Sequence, residues 1–213
     1  MTDGFATLIP DARSFLTELN QNNTRDWFTA HKDRYNATLK RPAILLLDRL
    51  SAQLQHKTAL PVGTKLFRPH RDVRFSKDKT PYTTHLHMLW QVGPGGLFFG
   101  ISPEYVRLGG GIMAMTRDQL DRWRAAMADD SHGAEFHQLC APLADQGYAT
   151  EHPELKRVPA PYPKDHPREN LLRRKSMTFW RDLPANEWPL SSTALDRGFD
   201  QLLPIVERLN QFL

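Results

Sequence analysis

Arg68, Arg71 and Arg74 recur at every third position, and Lys77 and Lys79 continue the run. A guanidinium presents parallel N–H donors that match the edge of a phosphate or carboxylate. Asp72 and Asp78 stand between the arginines, where they can orient them, and Thr80-Pro81 closes the segment as a turn ahead of Tyr82. The chemistry these residue types suit is recognition of an anion. The competing reading is a solvated loop in which Arg71, Asp72, Arg74 and Asp78 pair among themselves.

A second basic run lies at Lys156–Lys175. It carries +5, the Lys65–Lys79 stretch carries +4, and the rest of the chain is left at −5, within a net charge of +4. Arg173, Arg174 and Lys175 are adjacent, so they cannot share one face of a helix. Taken alone, this run reads as a solubilising helix end. Like charges repel, however, and two such stretches in one small protein need compensation. The expectation is that they meet in one basic cleft. Its ligand-binding residues would be Arg68, Arg71, Asp72, Arg74, Lys77, Asp78, Lys79, Tyr82, Arg173 and Lys175.

Other chemistry finds less support. His85 and His87 project from one face of a strand and could hold a metal, but no third ligand stands near them in sequence,. Two histidines on the wetter face of a strand read as surface residues, so no metal is expected. Gly109-Gly110-Gly111 could form an anion nest, but reads better as a bulge or a tight strand exit. No Gly-Lys-Ser/Thr follows it, so it is not a phosphate-cradling loop, and no Gly-x-Ser-x-Gly elbow occurs. Cys140 lies on an apolar helical stripe and reads as core. No cofactor is implied.

The elements that must position these residues follow from periodicity. Phe15, Leu16 and Leu19 mark one helix. Thr24 caps a second that carries Trp27, Phe28, His31 and Tyr35. Pro42 opens a third with Leu46, Leu47, Leu50 and Leu54 on its buried stripe. The middle of the chain turns to strands: Leu66–Phe75, with Pro69 confining part of it to an edge, then Thr84–Val92, Leu97–Ser102 and Tyr105–Met113. Leu86, Met88, Trp90 and Val92 alternate with polar neighbours, and Gly93-Pro94-Gly95-Gly96 turns the chain. These connections are too short for crossovers, so the sheet is antiparallel. Helices return at Thr116, where Gln119 completes a capping box, and again around Phe136–Leu143. Residues 153–167 hold five prolines and read as a loop,. A short helix at Glu169–Arg174 and a strand at Met177–Trp180 follow. The last helix carries Leu195, Phe199, Leu202, Val206, Leu209 and Leu213 on one stripe, with a kink at Pro204.

The 213 residues, 40% of them hydrophobic, suit one α+β domain spanning 1–213, its antiparallel sheet packed by helices from the N-terminal and C-terminal parts of the chain. No apolar run approaches the span of a bilayer. The N-terminus lacks the pattern of a secretory signal, and the one cysteine suits a reducing compartment, the cytoplasm.

Several stretches resemble the DUF2461 family, conserved hypothetical proteins of bacteria and fungi. They are Asn22-Asn23-x-Arg25-x-Trp27-Phe28; the block Arg71-Asp72-Val73-Arg74-Phe75-Ser76-Lys77-Asp78-Lys79-Thr80-Pro81-Tyr82; Gly109–Gly111; Leu155-Lys156-Arg157; Asp165-His166-Pro167; and Leu171-Leu172-Arg173-x-Lys175-Ser176. The likeness runs from about Phe15 to the C-terminus. It departs at Thr83 and Ala160-Pro161, so no ligand role is carried to those positions. The resemblance implies a single α+β domain and no particular activity. From the residues, the first expectation is binding of a phosphate-bearing or other anionic ligand, a small molecule or a nucleic acid. The alternatives are an enzyme in which His70, Asp72 or Asp78 serves as acid or base, and a module that docks an acidic protein.

Overall fold

The computed structural model describes residues 5–213. It is an α+β protein: a six-stranded antiparallel open sheet, strand order β1-β2-β3-β4-β6-β5, with helices packed against it. The chain divides into two compact units, each assembled from separated segments.

The first unit comprises residues up to 90, 98–108 and 182–198. Helix α1 (Leu8–Gln21) buries Leu8, Ile9, Ala12, Phe15, Leu16 and Leu19 on one face. Thr24 caps α2 (Arg25–Ala30) by accepting from the Trp27 N–H, and α3 (Lys32–Tyr35) follows. The chain then makes a π-helical turn at Asn36–Lys40 before α4 (Arg41–Thr58), which Pro42 opens. A π turn holds one more residue than the α-helical ladder accommodates, and such turns gather at functional sites. Strand β1 (Val62–Leu66) packs on α4. The Trp90 Nε1 of β2 (Leu86–Val92) donates to the Leu47 carbonyl at 3.0 Å, and Trp90 itself is fully buried.

The expected strand over Leu66–Phe75 is a correction. Strand β1 ends at Leu66, and residues 67–81 run without regular structure apart from a bridge between His70 and Tyr82. The cause is local. Asp72 Oδ1 accepts from the Arg74 N–H, and Asp78 Oδ1 from the Thr80 N–H. Aspartates that bond the backbone two residues ahead fold the chain into turns and draw it away from a strand ladder.

The second unit comprises residues 91–97, 109–181 and 199–213. Strands β3 (Gly95–Ile101) and β4 (Val106–Ile112) each have residues in both units. The turn before β3 is only Gly93-Pro94, since Gly95 and Gly96 are already in the strand. Gly93 has φ +59°, and a Cβ there would lie 2.9 Å from Asn210 Nδ2. That amide clamps the hairpin, donating to the Val92 carbonyl and accepting from the Gly95 N–H. Thr116 and Gln119 form the expected capping box at the head of α5 (Arg117–Ala128). Then come α6 (Asp130–Asp145), β5 (Ala149–Thr150), α7 (Glu169–Leu172) and β6 (Met177–Asp182). The Gly109–Gly111 run is neither a nest nor an exit. It lies inside β4, where a Cβ on Gly109 would enter the Trp180 ring and one on Gly111, at φ +132°, would strike the Met177 carbonyl. Helix α8 (Ser192–Phe212) runs through Pro204 and buries the apolar stripe read from its sequence.

Candidate functional site

The basic block of the first unit spends most of its charge on itself. Arg71 reaches Asp78 at 2.5 Å and also donates to the Thr80 hydroxyl and carbonyl. Arg74 pairs with Asp72 at 2.7 Å, and Lys79 donates to the Val73 carbonyl at 3.0 Å. Both carboxylates are held below their ordinary range. The Thr80 N–H, then Arg71, bring Asp78 down to about 2; the Arg74 guanidinium lowers Asp72. A carboxylate held as far down as Asp78 is a poor base,. Tyr82 is buried, stacks on Phe28 with ring centroids 4.1 Å apart, and exchanges backbone hydrogen bonds with the Asn23 amide. Lys77 is exposed and, among the described residues, without a hydrogen-bond partner.

Arg68 differs from its neighbours. It makes no hydrogen bond or ion pair among the described residues, its charge reaching Asp72 only at a distance, and it lines a cavity of about 320 Å³ in the first unit. Lys32, Lys40 and His70 line it as well, over a floor that includes Phe28, Tyr35 and Leu66. No carboxylate lines it. The elements that build it are far apart in sequence. Helix α3 brings Lys32 and Tyr35, the π turn brings Asn36 and Lys40, and the segment leaving β1 brings Arg68 and His70. Lys32 and Lys40 also lack partners among the described residues. Tyr35 is only 7% exposed, yet its hydroxyl has no protein partner there, and burial pushes its pKa up to about 12. A hydroxyl so placed stays protonated and offers one O–H donor to whatever enters. A second concavity of about 400 Å³ in the same unit is lined mainly by Phe5, Pro42, Leu45 and Leu46, with Arg41 and Arg49 at its edge. Ser192 also lines it, and both Ser192 and Arg49 already have partners, so the smaller cavity, with its cations outside any ion pair, is the better site.

The second basic run belongs to the second unit and is largely structural. Arg168 caps α5: its Nε donates to the Met127 carbonyl at 2.6 Å, its Nη2 to Ala128 and to Asp130. Gly133 leaves it room, since a Cβ there would meet the Arg168 side chain. Arg174 is buried and donates to the Glu151 carbonyl and the Thr150 hydroxyl. Arg173 bonds Asn170 at 2.6 Å, while the Lys175 side chain is exposed. Cys140 is half-buried, and burial pushes its thiol up to about 12, which leaves it a poor nucleophile,.

The histidines form a cluster of a different kind. His85 and His87 stack 3.8 Å apart, and His87 Nε2 shares a 2.7 Å hydrogen bond with the Tyr105 hydroxyl. No group of three His, Cys, Asp or Glu side chains able to hold a metal occurs among the described residues. Nor is any helix there long and apolar enough to cross a membrane.

A family model described as "Conserved hypothetical protein (DUF2461)" matches residues 11–210. The chain belongs to the DUF2461 family. No curated protein and no solved structure matches it. Membership covers both units of this DUF2461 chain, and the family's description assigns no activity.

Sequence reasoning found Arg68 but missed Lys32, Tyr35 and Lys40. Tyr35 was visible only as the apolar face of a helix. The signal that could have found the site is the pair of lysines eight residues apart around Tyr35 and Asn36.

Proposed function

We propose that this DUF2461 protein binds an anionic ligand, of the phosphate-bearing kind, in the cavity between the π turn and the segment leaving β1. One observation carries the reading: Lys32, Lys40 and Arg68, none of them in a hydrogen bond or ion pair among the described residues, line one cavity that no carboxylate lines and that Tyr35, its hydroxyl free of any hydrogen bond there, lines as well. Exposed lysines need no partner to be stable. Their gathering around a concave floor with a waiting donor is what a solubilising surface lacks. The low basicity of Asp72 and Asp78 favours binding over acid–base catalysis by them. Those two aspartates, with Arg71, instead brace the loop that carries Arg68 and His70.

The test is a thermal-shift titration with inorganic phosphate and pyrophosphate, since a ligand that binds only the folded state raises the melting temperature. Wild type should be stabilised, and less so as salt rises. Lys40→Ala and Arg68→Ala should each weaken binding by roughly 3- to 10-fold, as for one charge-assisted contact in a partly exposed site. Stabilisation that is absent in wild type, or the same in all three proteins, would refute the reading.

A further inference from the structure

The cavity has more to satisfy than a bare anion can. Its volume of about 320 Å³ is in the range of small-molecule sites and roughly ten times a water's share of the liquid. Its mouth also exposes apolar surface. Phe67 is 38% exposed and Ile44 40%, and both line the cavity beside Leu66 and Pro69. The Lys65 ammonium lies 4.6 Å from the centroid of the Phe67 ring, which keeps a further cation at this wall,. An inorganic ion, strongly hydrated and small, would meet the lysines and leave this wall wet. A ligand with a flat apolar body would cover it and gain from both halves.

Resting on the anion reading above, we propose that the ligand is a phosphate monoester carrying a flat aromatic ring. The phosphate lies against Lys32, Lys40 and Arg68 and accepts from the Tyr35 hydroxyl. The ring lies on the Phe67–Ile44 wall. A concave site of this size takes one such molecule, whereas a polymer needs a stripe along which successive phosphates can lie.

Calorimetric titration of the full chain with inorganic phosphate, phenyl phosphate and phenol separates the two claims. Phenyl phosphate should bind at least tenfold tighter than inorganic phosphate, and phenol should not bind measurably. Phe67→Ala should reduce the tenfold advantage to less than threefold. Phe67→Leu should keep part of it, which guards against a folding defect in the alanine variant. Phosphate and phenyl phosphate binding within threefold of each other would overturn the aromatic-ester proposal and leave the anion reading standing. An advantage untouched by Phe67→Ala would overturn it as well. Failure of both to bind would remove the anion reading, and this proposal with it.

Discussion

His87 shows how far one side chain can be moved by what surrounds it. Burial, then the neighbouring His85 and Arg107, bring its pKa from 6.5 down to about 4. Between those values the unfolded chain binds the proton and the folded one does not. The stability this contributes is full above about 6.5 and is lost as the pH falls to about 4. A shift of this size corresponds to a loss on the order of 2–3 kcal/mol across that window. His87→Gln keeps a hydrogen-bonding group beside Tyr105 but cannot titrate. Urea midpoints at pH 7 and pH 4.5 should therefore fall less in the variant than in wild type, and equal falls would show that another group titrates. The pairing of His85 with His87 was legible from the alternation along the strand. Tyr105 was not, because hydrogen bonding across the sheet brings it there from 18 residues away. The cavity escaped for the same reason: Lys32, Lys40 and Arg68 lie near one another only after α4 and β1 have packed.

Helix α8 was the plainest element in the sequence and is among the most deeply seated in the structure. Leu195, Phe199, Leu202, Val206 and Leu209 are all at most 1% exposed. Leu202 fills the space over Gly110, where a Cβ would come 3.0 Å from the leucine's own. Leu202→Ala should cost about 2–5 kcal/mol, the range for a buried leucine. A denaturant midpoint equal to wild type would mean that the helix is a detachable appendage. The expected strand at Leu66–Phe75 failed where this helix succeeded. Val73 and Phe75 are good strand formers, but a strand also needs its backbone free to join a ladder. Asp72 and Asp78 occupy that backbone first,. Periodicity registers which side chains are buried, and Phe75, at 96% exposure, is not one of them.

Across the whole molecule, the uneven charge seen in the sequence resolves into two different uses. In the second unit Arg168 and Arg174 satisfy backbone carbonyls, so their charge holds loops and a helix end in place. In the first unit Arg71 and Arg74 brace a loop, and Lys32, Lys40 and Arg68 are left over. Net charge by segment could not separate these uses, because it counts a paired arginine and an unpaired one alike. The α+β class and the antiparallel sheet were legible because hairpin connections and short strands leave few alternatives.

The loop of residues 67–81 is pinned at its base and open at its tip. The Arg71 N–H donates to the Pro81 carbonyl at 2.9 Å and the Thr83 N–H to the Pro69 carbonyl at 2.7 Å, while Arg74 and Lys77 stand exposed between. A protease that cuts after basic residues finds its preferred sites on an accessible tip whose removal from the chain costs no buried contact of Phe75. Brief trypsin treatment should cut there first. The two pieces, about one third and two thirds of the 24.5 kDa chain, should separate on a denaturing gel yet travel as one particle through a sizing column. Pieces that part in the column would mean that covalent continuity through the tip holds the fold together. Otherwise the molecule tolerates a broken backbone at this point, and a chain opened there, with new ends at the tip, remains able to fold.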